Sequence, residues 1–323
     1  MQRAVWVSGT GRERGHHGAG FRSAVRCFSA ARPALRADKD ALLRLRKSTG
    51  LPFGACAEAL RDSGGDERQA EALLLVRARR DGRHRAEQLR ERAAKDGLMG
   101  TVVRGNCGVM VEVNCETDFV ARNAAFQQLV RDAALGAMSS CHSPDPPTGC
   151  VKRFLSPVEL SQLRTEPGGA QLSERLELTI GSMGEKMTLR RAAFLAVPPD
   201  CFIASYTHGP PPGEPPPSHS VPALGRYGAL VACRVTEPGV SPDPAAVGRK
   251  VAQHVVGMAP TSVGDPGDGA GGRKEEEEEE EETRLLAQSF VLQPAVTVAE
   301  FLRAHGVTVL DFVRFQCGEE ERD

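Results

Sequence analysis

Thr117, Asp118, Phe119, Val120, Ala121, Arg122 and Asn123 put a carboxylate beside a large aromatic ring, with no glycine among the seven residues. An alternating apolar run, Val109 to Asn114, comes before them, and a helical pattern, Asn123 to Met138, comes after. The stretch therefore marks a corner where a strand hands over to a helix. Two kinds of chemistry fit there. The seven residues together, with Asp118 and Phe119 foremost, can form a probe that enters a partner protein and contacts it. Alternatively, Phe119 and Val120 staple the helix to the sheet while Asp118 or Thr117 caps it. Taken by themselves, the residues favour the staple.

Other reactive constellations are missing from the sequence. There is no phosphate loop, no G-x-G-x-x-G, no G-x-S-x-G and no H-E-x-x-H. Nine cysteines occur: Cys27, Cys56, Cys107, Cys115, Cys141, Cys150, Cys201, Cys233 and Cys317. None forms a C-x-x-C pair and no histidine cluster accompanies them, so neither a metal site nor a cofactor is expected. A cysteine nucleophile served by a distant histidine would require one indispensable cysteine. The two tyrosines and single tryptophan leave no basic–aromatic interleaving for RNA, and no direct nucleic-acid contact is expected. No apolar run reaches the roughly 18 residues of a membrane span.

Charge is distributed unevenly. Residues 1–37 carry seven arginines (Arg3, Arg12, Arg14, Arg22, Arg26, Arg32 and Arg36) against one acid, Glu13. Scattered serines and the absence of an apolar centre make a disordered organelle transit peptide the expectation, ahead of a basic nucleic-acid-binding tail. Arg26-Cys27-Phe28-Ser29 suits a matrix-protease cut after Phe28. Without residues 1–28 the chain has 36 basic and 41 acidic residues, a formal charge of −5. Eight of those acids form the run Glu275 to Glu282.

The elements that must hold the corner read as an α+β chain. Residues 38–80 form three short helices. Asp38 caps the first, and Cys56, Ala59, Leu60, Ala70 and Leu74 face inward in the others. The pattern resembles the ubiquitin-associated three-helix module. A charged helical connector spans 81–97. Core subdomain N, 98–199, starts with a hairpin in which Thr101–Arg104 and Val109–Asn114 flank Gly105-Asn106-Cys107-Gly108. Val158–Leu163 and Gln171–Met183 read as helices, and Met187–Val197 as a strand. Core subdomain C, 200–318, has strands Cys201–His208 and Tyr227–Val235, a helix from Ala245 to Met258 and a closing strand, Val307–Phe315, expected inside a sheet. Tyr227-Gly228 echoes Cys107-Gly108, each opening a β run that leads to an amphipathic helix, so a duplicated core of small antiparallel sheets with packed helices is expected. Gly209 to Gly225 is a proline-rich loop, 260–283 a disordered acidic loop, and 319–323 a tail.

Val111-Glu112-Val113-Asn114-Cys115-Glu116-Thr117-Asp118-Phe119-Val120-Ala121-Arg122-Asn123 is similar to the most specific signature of the elongation factor Ts family. Leu45 to Gly50 with Cys56 and Ala59-Leu60, then Ser205-Tyr206-Thr207-His208-Gly209 and Val313-Arg314-Phe315, resemble further family blocks, in the mitochondrial form. The resemblance reverses the weighting at the corner. It implies a guanine nucleotide exchange factor with no covalent chemistry or bound nucleotide of its own, acting on the GDP form of mitochondrial elongation factor Tu. Phe119 would enter an apolar pocket of that GTPase and Asp118 would disturb its Mg²⁺ site. It also implies partner contacts at Arg46, Phe53, Cys56 and His208, although a strand-end histidine bonded to backbone is an equal reading of His208. Bacterial members dimerise through a helical hairpin where this chain has Thr261 to Thr283. A one-to-one heterodimer in the mitochondrial matrix is therefore expected. The alternative function is a non-catalytic adaptor working through the three-helix module.

Overall fold

The protein is described from a computed structural model covering residues 39–140, 147–166, 168–211, 213, 221–265 and 282–320. The expected transit peptide, the Asp38 cap, and residues 266–281 of the acidic loop lie outside these described residues.

Helices α1 (Lys39–Thr49), α2 (Phe53–Asp62) and α3 (Glu67–Gln88) come first. They share a small core of Leu45, Cys56, Leu60, Ala70 and Leu74. Asp66 caps α3 by accepting the Gln69 N–H. α3 does not end near residue 80. The connector expected over 81–97 divides into the last turns of this helix, an irregular stretch over 89–95 and the start of a strand. Those turns are not freely exposed, because Gly82 presses on α7 (Leu172–Met183). A Cβ at residue 82 would lie 1.9 Å from the Glu177 carbonyl oxygen. Arg79–Glu174 and Arg83–Glu177 ion pairs flank the crossing at 3.0 and 2.9 Å.

The first sheet has five antiparallel strands, β1 (Asp96–Arg104), β2 (Cys107–Cys115), β3 (Val151–Leu155), β4 (Met187–Ala196) and β6 (Ala223–Gly225), in the order β3-β4-β2-β1-β6. The hairpin loop has two residues rather than four, since Arg104 pairs with Cys107 and only Gly105-Asn106 turns. Gly105 takes φ +55°, as such a turn requires. The second sheet has β5 (Cys201–His208), β7 (Tyr227–Val235) and β10 (Val307–Gln316), in the order β10-β7-β5. Helices α5 (Ala124–Ser140), α6 (Pro157–Gln162), α8 (Pro244–Met258) and α9 (Val298–Ala304) complete the layers, with a small ribbon of β8 (Ser289–Phe290) and β9 (Gln293–Thr297).

Both sheets follow one path. A first strand pairs with a middle strand, a helix follows, and a third strand returns along the far side of the middle one. β1-β2-α5-β4 and β5-β7-α8-β10 are the two copies. Each returning strand carries a bulge where it pairs with the middle strand, at Arg190 and at Leu310. The residue–glycine pairs that open β2 and β7 sit at equivalent places. A Cβ at Gly108 would crowd Ile203 and Leu230, and one at Gly228 would fall 2.7 Å from the Met110 sulfur. These glycines therefore let the sheets meet face to face over Met99, Met110, Leu195, Leu230, Val313 and Phe315.

The outer faces are covered too. Val109, Val111 and Val113 pack with Phe126, Leu129 and Val130 of α5, while Val231 and Phe312 pack with α8 and α9. β10 is accordingly an edge strand and does not lie inside a sheet. Both its sides are apolar because Val309 and Phe312 join the helical core while Val313 and Phe315 join the intersheet core. Three further boundaries shift. β6 joins the first sheet although it follows residue 199. Residues 260–265 and 282–283 form ordered ends of the acidic loop, with the Thr261 N–H donating to the Thr283 carbonyl at 2.8 Å. Glu319 belongs to no loose tail, since Arg191 and Arg314 hold it at 2.9 and 3.1 Å.

Buried His254 of α8 anchors the chain returning from that loop. Its Nδ1 accepts the Val291 N–H at 3.1 Å, so the proton sits on Nε2, which donates to Gln288 Oε1 at 3.0 Å. Burial lowers the pKa of this imidazole below its usual 6.5. The unfolded histidine then binds a proton more readily than the folded one. This share of stability is complete above about pH 6.5 and is lost as pH falls toward the depressed native value. Urea unfolding should show stability dropping more steeply between about pH 7 and pH 5.5 in the wild type than in His254→Gln. A second test addresses the helix crossing. Gly82→Ala should cost about 1–3 kcal/mol and speed proteolytic cleavage between α3 and β1; an unchanged urea midpoint would contradict the packing of α3 on α7.

Candidate functional site

The seven-residue corner contains a single helical turn, α4 (Asp118–Ala121), between β2 and α5. Thr117 caps it by accepting the Val120 N–H at 3.4 Å. Asn123 Oδ1 accepts the Ala125 N–H at 2.8 Å and starts α5. Gln127 Nε2 reaches back to the Ala121 and Arg122 carbonyls at 3.4 and 3.3 Å.

Sequence alone treated the corner as one unit, but its side chains divide. Val120 and Ala121 are buried against the first core and staple α4 to it. They support the corner and cannot themselves form its outer contact surface. Phe119 is 76% exposed, the most exposed large apolar side chain among the described residues. It is not the staple. Asp118 and Arg122 form an exposed i,i+4 ion pair at 2.7 Å. Such a pair contributes only about 0.3–0.5 kcal/mol, so a competing charge can separate it readily.

The other expected residues lie elsewhere. Arg46 and Phe53 come together on the three-helix module, with the guanidinium carbon 4.6 Å from the centre of the half-exposed ring. Arg46 also donates to the Leu51 carbonyl at 2.9 Å. Cys56 is wholly buried, its thiol 3.5 Å from the same carbonyl. A direct partner contact at Cys56 is therefore corrected to a core role. His208 ends β5, exposed, with Nδ1 3.3 Å from the Tyr206 hydroxyl and its ring beside those of Tyr206 and Tyr227. Its ring thus engages a side chain rather than backbone.

A charge cluster escaped the sequence reading. Glu112, fully buried on β2, accepts from Arg190 at 3.2 Å, Arg191 at 2.7 Å, Asn114 at 3.0 Å and the Gly318 N–H at 2.7 Å. An acid inside a valine run and two arginines in a later apolar strand were the available signal. The residues preceding Phe119 are also braced, with Glu116 accepting from Arg92 at 3.2 Å and from the Lys186 N–H at 2.7 Å. Burial pushes the Cys115, Cys233 and Cys317 thiols up to about 12, so all three stay protonated near neutrality.

Fold and corner together define an α+β scaffold of two apposed antiparallel sheets that carries an exposed ring on a hydrogen-bonded turn. The family model described as Elongation factor TS matches residues 116–266, beginning immediately before that turn. The chain is 44% identical to mitochondrial elongation factor Ts of Xenopus laevis over 287 residues, covering 88% of each protein. It is 45% identical to that of Rattus norvegicus, over 88% of this chain and 85% of the relative. It is 39% identical to that of Branchiostoma floridae, over 94% and 96%. The chain belongs to the elongation factor Ts family.

Buried and exposed charge pairs should respond differently to truncation. Glu112→Ala should lower unfolding free energy by about 3–5 kcal/mol, because it takes the buried carboxylate away from Arg190 and Arg191 and leaves the Gly318 N–H without its acceptor. Asp118→Ala should cost no more than about 1 kcal/mol. Urea titration distinguishes the two, and a Glu112→Ala loss no larger than that of Asp118→Ala would contradict the pairing.

Proposed function

We propose that the chain is the guanine nucleotide exchange factor of mitochondrial translation elongation. It would bind elongation factor Tu in its GDP form as a one-to-one heterodimer in the mitochondrial matrix and promote GDP release. Family membership supports the activity, and the exposure of Phe119 over buried Val120 and Ala121 supports the mode of action. Phe119 would enter an apolar pocket of the GTPase, where full burial is worth about 1.5–3 kcal/mol. Asp118 would leave Arg122 and face the Mg²⁺ and phosphate region of the partner. Nucleotide held through phosphates and Mg²⁺ is sensitive to small displacements there. Linkage makes the effect mutual, so rebinding nucleotide expels the factor.

The remaining contacts would come from Arg46 and Phe53 on the ubiquitin-associated-like module, 38–80, and from His208 on the 200–318 part of the core. Thr117, Val120, Ala121 and Asn123 would act by holding the turn, and Arg122 by releasing Asp118. Residues 1–37 would direct import.

Release of a fluorescent GDP analogue from mitochondrial elongation factor Tu tests the proposal. Wild type should accelerate release, and Phe119→Ala should lose about tenfold or more of that acceleration at unchanged stability. Asp118→Ala should also lose acceleration. Full activity in both variants would refute the probe, and an inert wild type would refute the exchange activity itself.

A further inference from the structure

We infer that Glu185 and Glu116 are positioning residues for the Asp118–Phe119 turn, whose approach through Glu116 and Thr117 is gripped by the two-residue bracket Glu185-Lys186; this rests on the exchange reading above. α4 is one turn long, too short to hold its own shape. Its underside is fixed by Val120 and Ala121, but burial of two small apolar groups leaves the direction of entry open. Hydrogen bonds supply that direction. A hydroxyl has one proton to give and two lone pairs. Thr117 gives its proton to Glu185 Oε2 at 3.0 Å, which turns a lone pair toward the Val120 N–H. The capping bond and the bond to Glu185 are thus two halves of one arrangement.

Glu116, the preceding residue, is bound at both oxygens. The Lys186 N–H holds Oε1 at 2.7 Å and Arg92 holds Oε2 at 3.2 Å. Glu185 and Lys186 are neighbours in the short link between α7 and β4, directly after Gly184, which closes α7 in the left-handed conformation at φ +75°. One tight link thereby grips both residues that lead into α4. The link is anchored in turn to the chain leaving α3, since Lys186 Nζ donates to the Arg90 and Arg92 carbonyls at 2.6 and 2.5 Å. Neither glutamate needs to touch the GTPase. They hold the turn that carries the ring, and a small misplacement of a positioned group costs rate more than affinity.

The test uses the full chain with Glu185→Ala and Glu185→Gln, reading Val120 amide hydrogen exchange and the concentration dependence of GDP release. In Glu185→Ala the Val120 amide should exchange about tenfold faster. The maximal release rate should fall about tenfold, while the half-saturating concentration should move less than about threefold. The Gln side chain still offers an oxygen to the Thr117 hydroxyl, so Glu185→Gln should stay within about twofold of wild type on every readout. Should Glu185→Ala fail to fold, Thr117→Val replaces it and should accelerate Val120 exchange equally. Unchanged Val120 protection, or a Gln variant as impaired as Ala, overturns the inference. An inactive wild type would instead overturn the exchange reading, and the amide measurement would still decide the bracket.

Discussion

β2 is buried on both of its faces, and much of the molecule follows from that. One face packs under α5 and the other meets the second sheet. A strand enclosed in this way has no solvent to serve its polar groups, so a carboxylate on it must be fully bonded. Glu112 is so bonded, to two arginines on β4, an amide on its own strand and the backbone of the closing turn at Gly318. The same charge therefore ties the middle of the first sheet to the end of the chain. Arg191 and Arg314 extend the arrangement to Glu319, which is why the last described residues are held in place.

The enclosure also bears on how the corner is held. β2 ends at Cys115, two residues before Thr117, so the turn leaves from one of the most constrained strands in the protein. Glu116 and Thr117 are then tied to the α7–β4 link before the chain turns. A ring carried on a loose loop would lose conformational entropy on entering a partner; one carried on a fixed turn has already lost most of it. The exposure of Phe119 is an uncompensated apolar cost in the free chain. Its placement on so well held a turn is what distinguishes it from an ordinary surface phenylalanine.

The two halves of the core are copies of one path, yet they differ at the corner. In the first, the middle strand passes through α4 before its helix. In the second, β7 runs by way of a longer turn to Asp243, whose Oδ1 accepts the Ala246 N–H at 3.0 Å and caps α8. Only the first copy carries the acid–aromatic turn. The second supplies a face for the first to pack on, through the reciprocal contacts of Gly108 with Leu230 and Gly228 with Met110.

Alternation in Val109–Asn114 and the paired residue–glycine openings of β2 and β7 were legible in the sequence, because they depend on neighbours a few residues away. The thirteen-residue signature likewise singled out the acid–aromatic corner. What the residues could not decide was which side of each strand would be buried twice. β10 reads as an interior strand by composition but is an edge, because its second apolar face meets another sheet and not another strand. Nor could they separate Phe119 from Val120, or Cys56 from Phe53, since exposure depends on what distant segments bring alongside. Glu112 with Arg190 and Arg191, and Thr117 with Glu185, are 68 to 79 residues apart in the chain. Local chemistry therefore determined which elements form and where the acid–aromatic pair stands. Packing of the turn's underside into the core between the first sheet and its helices, with the bonds to the α7–β4 link, decided that the ring points outward and what holds the turn beneath it.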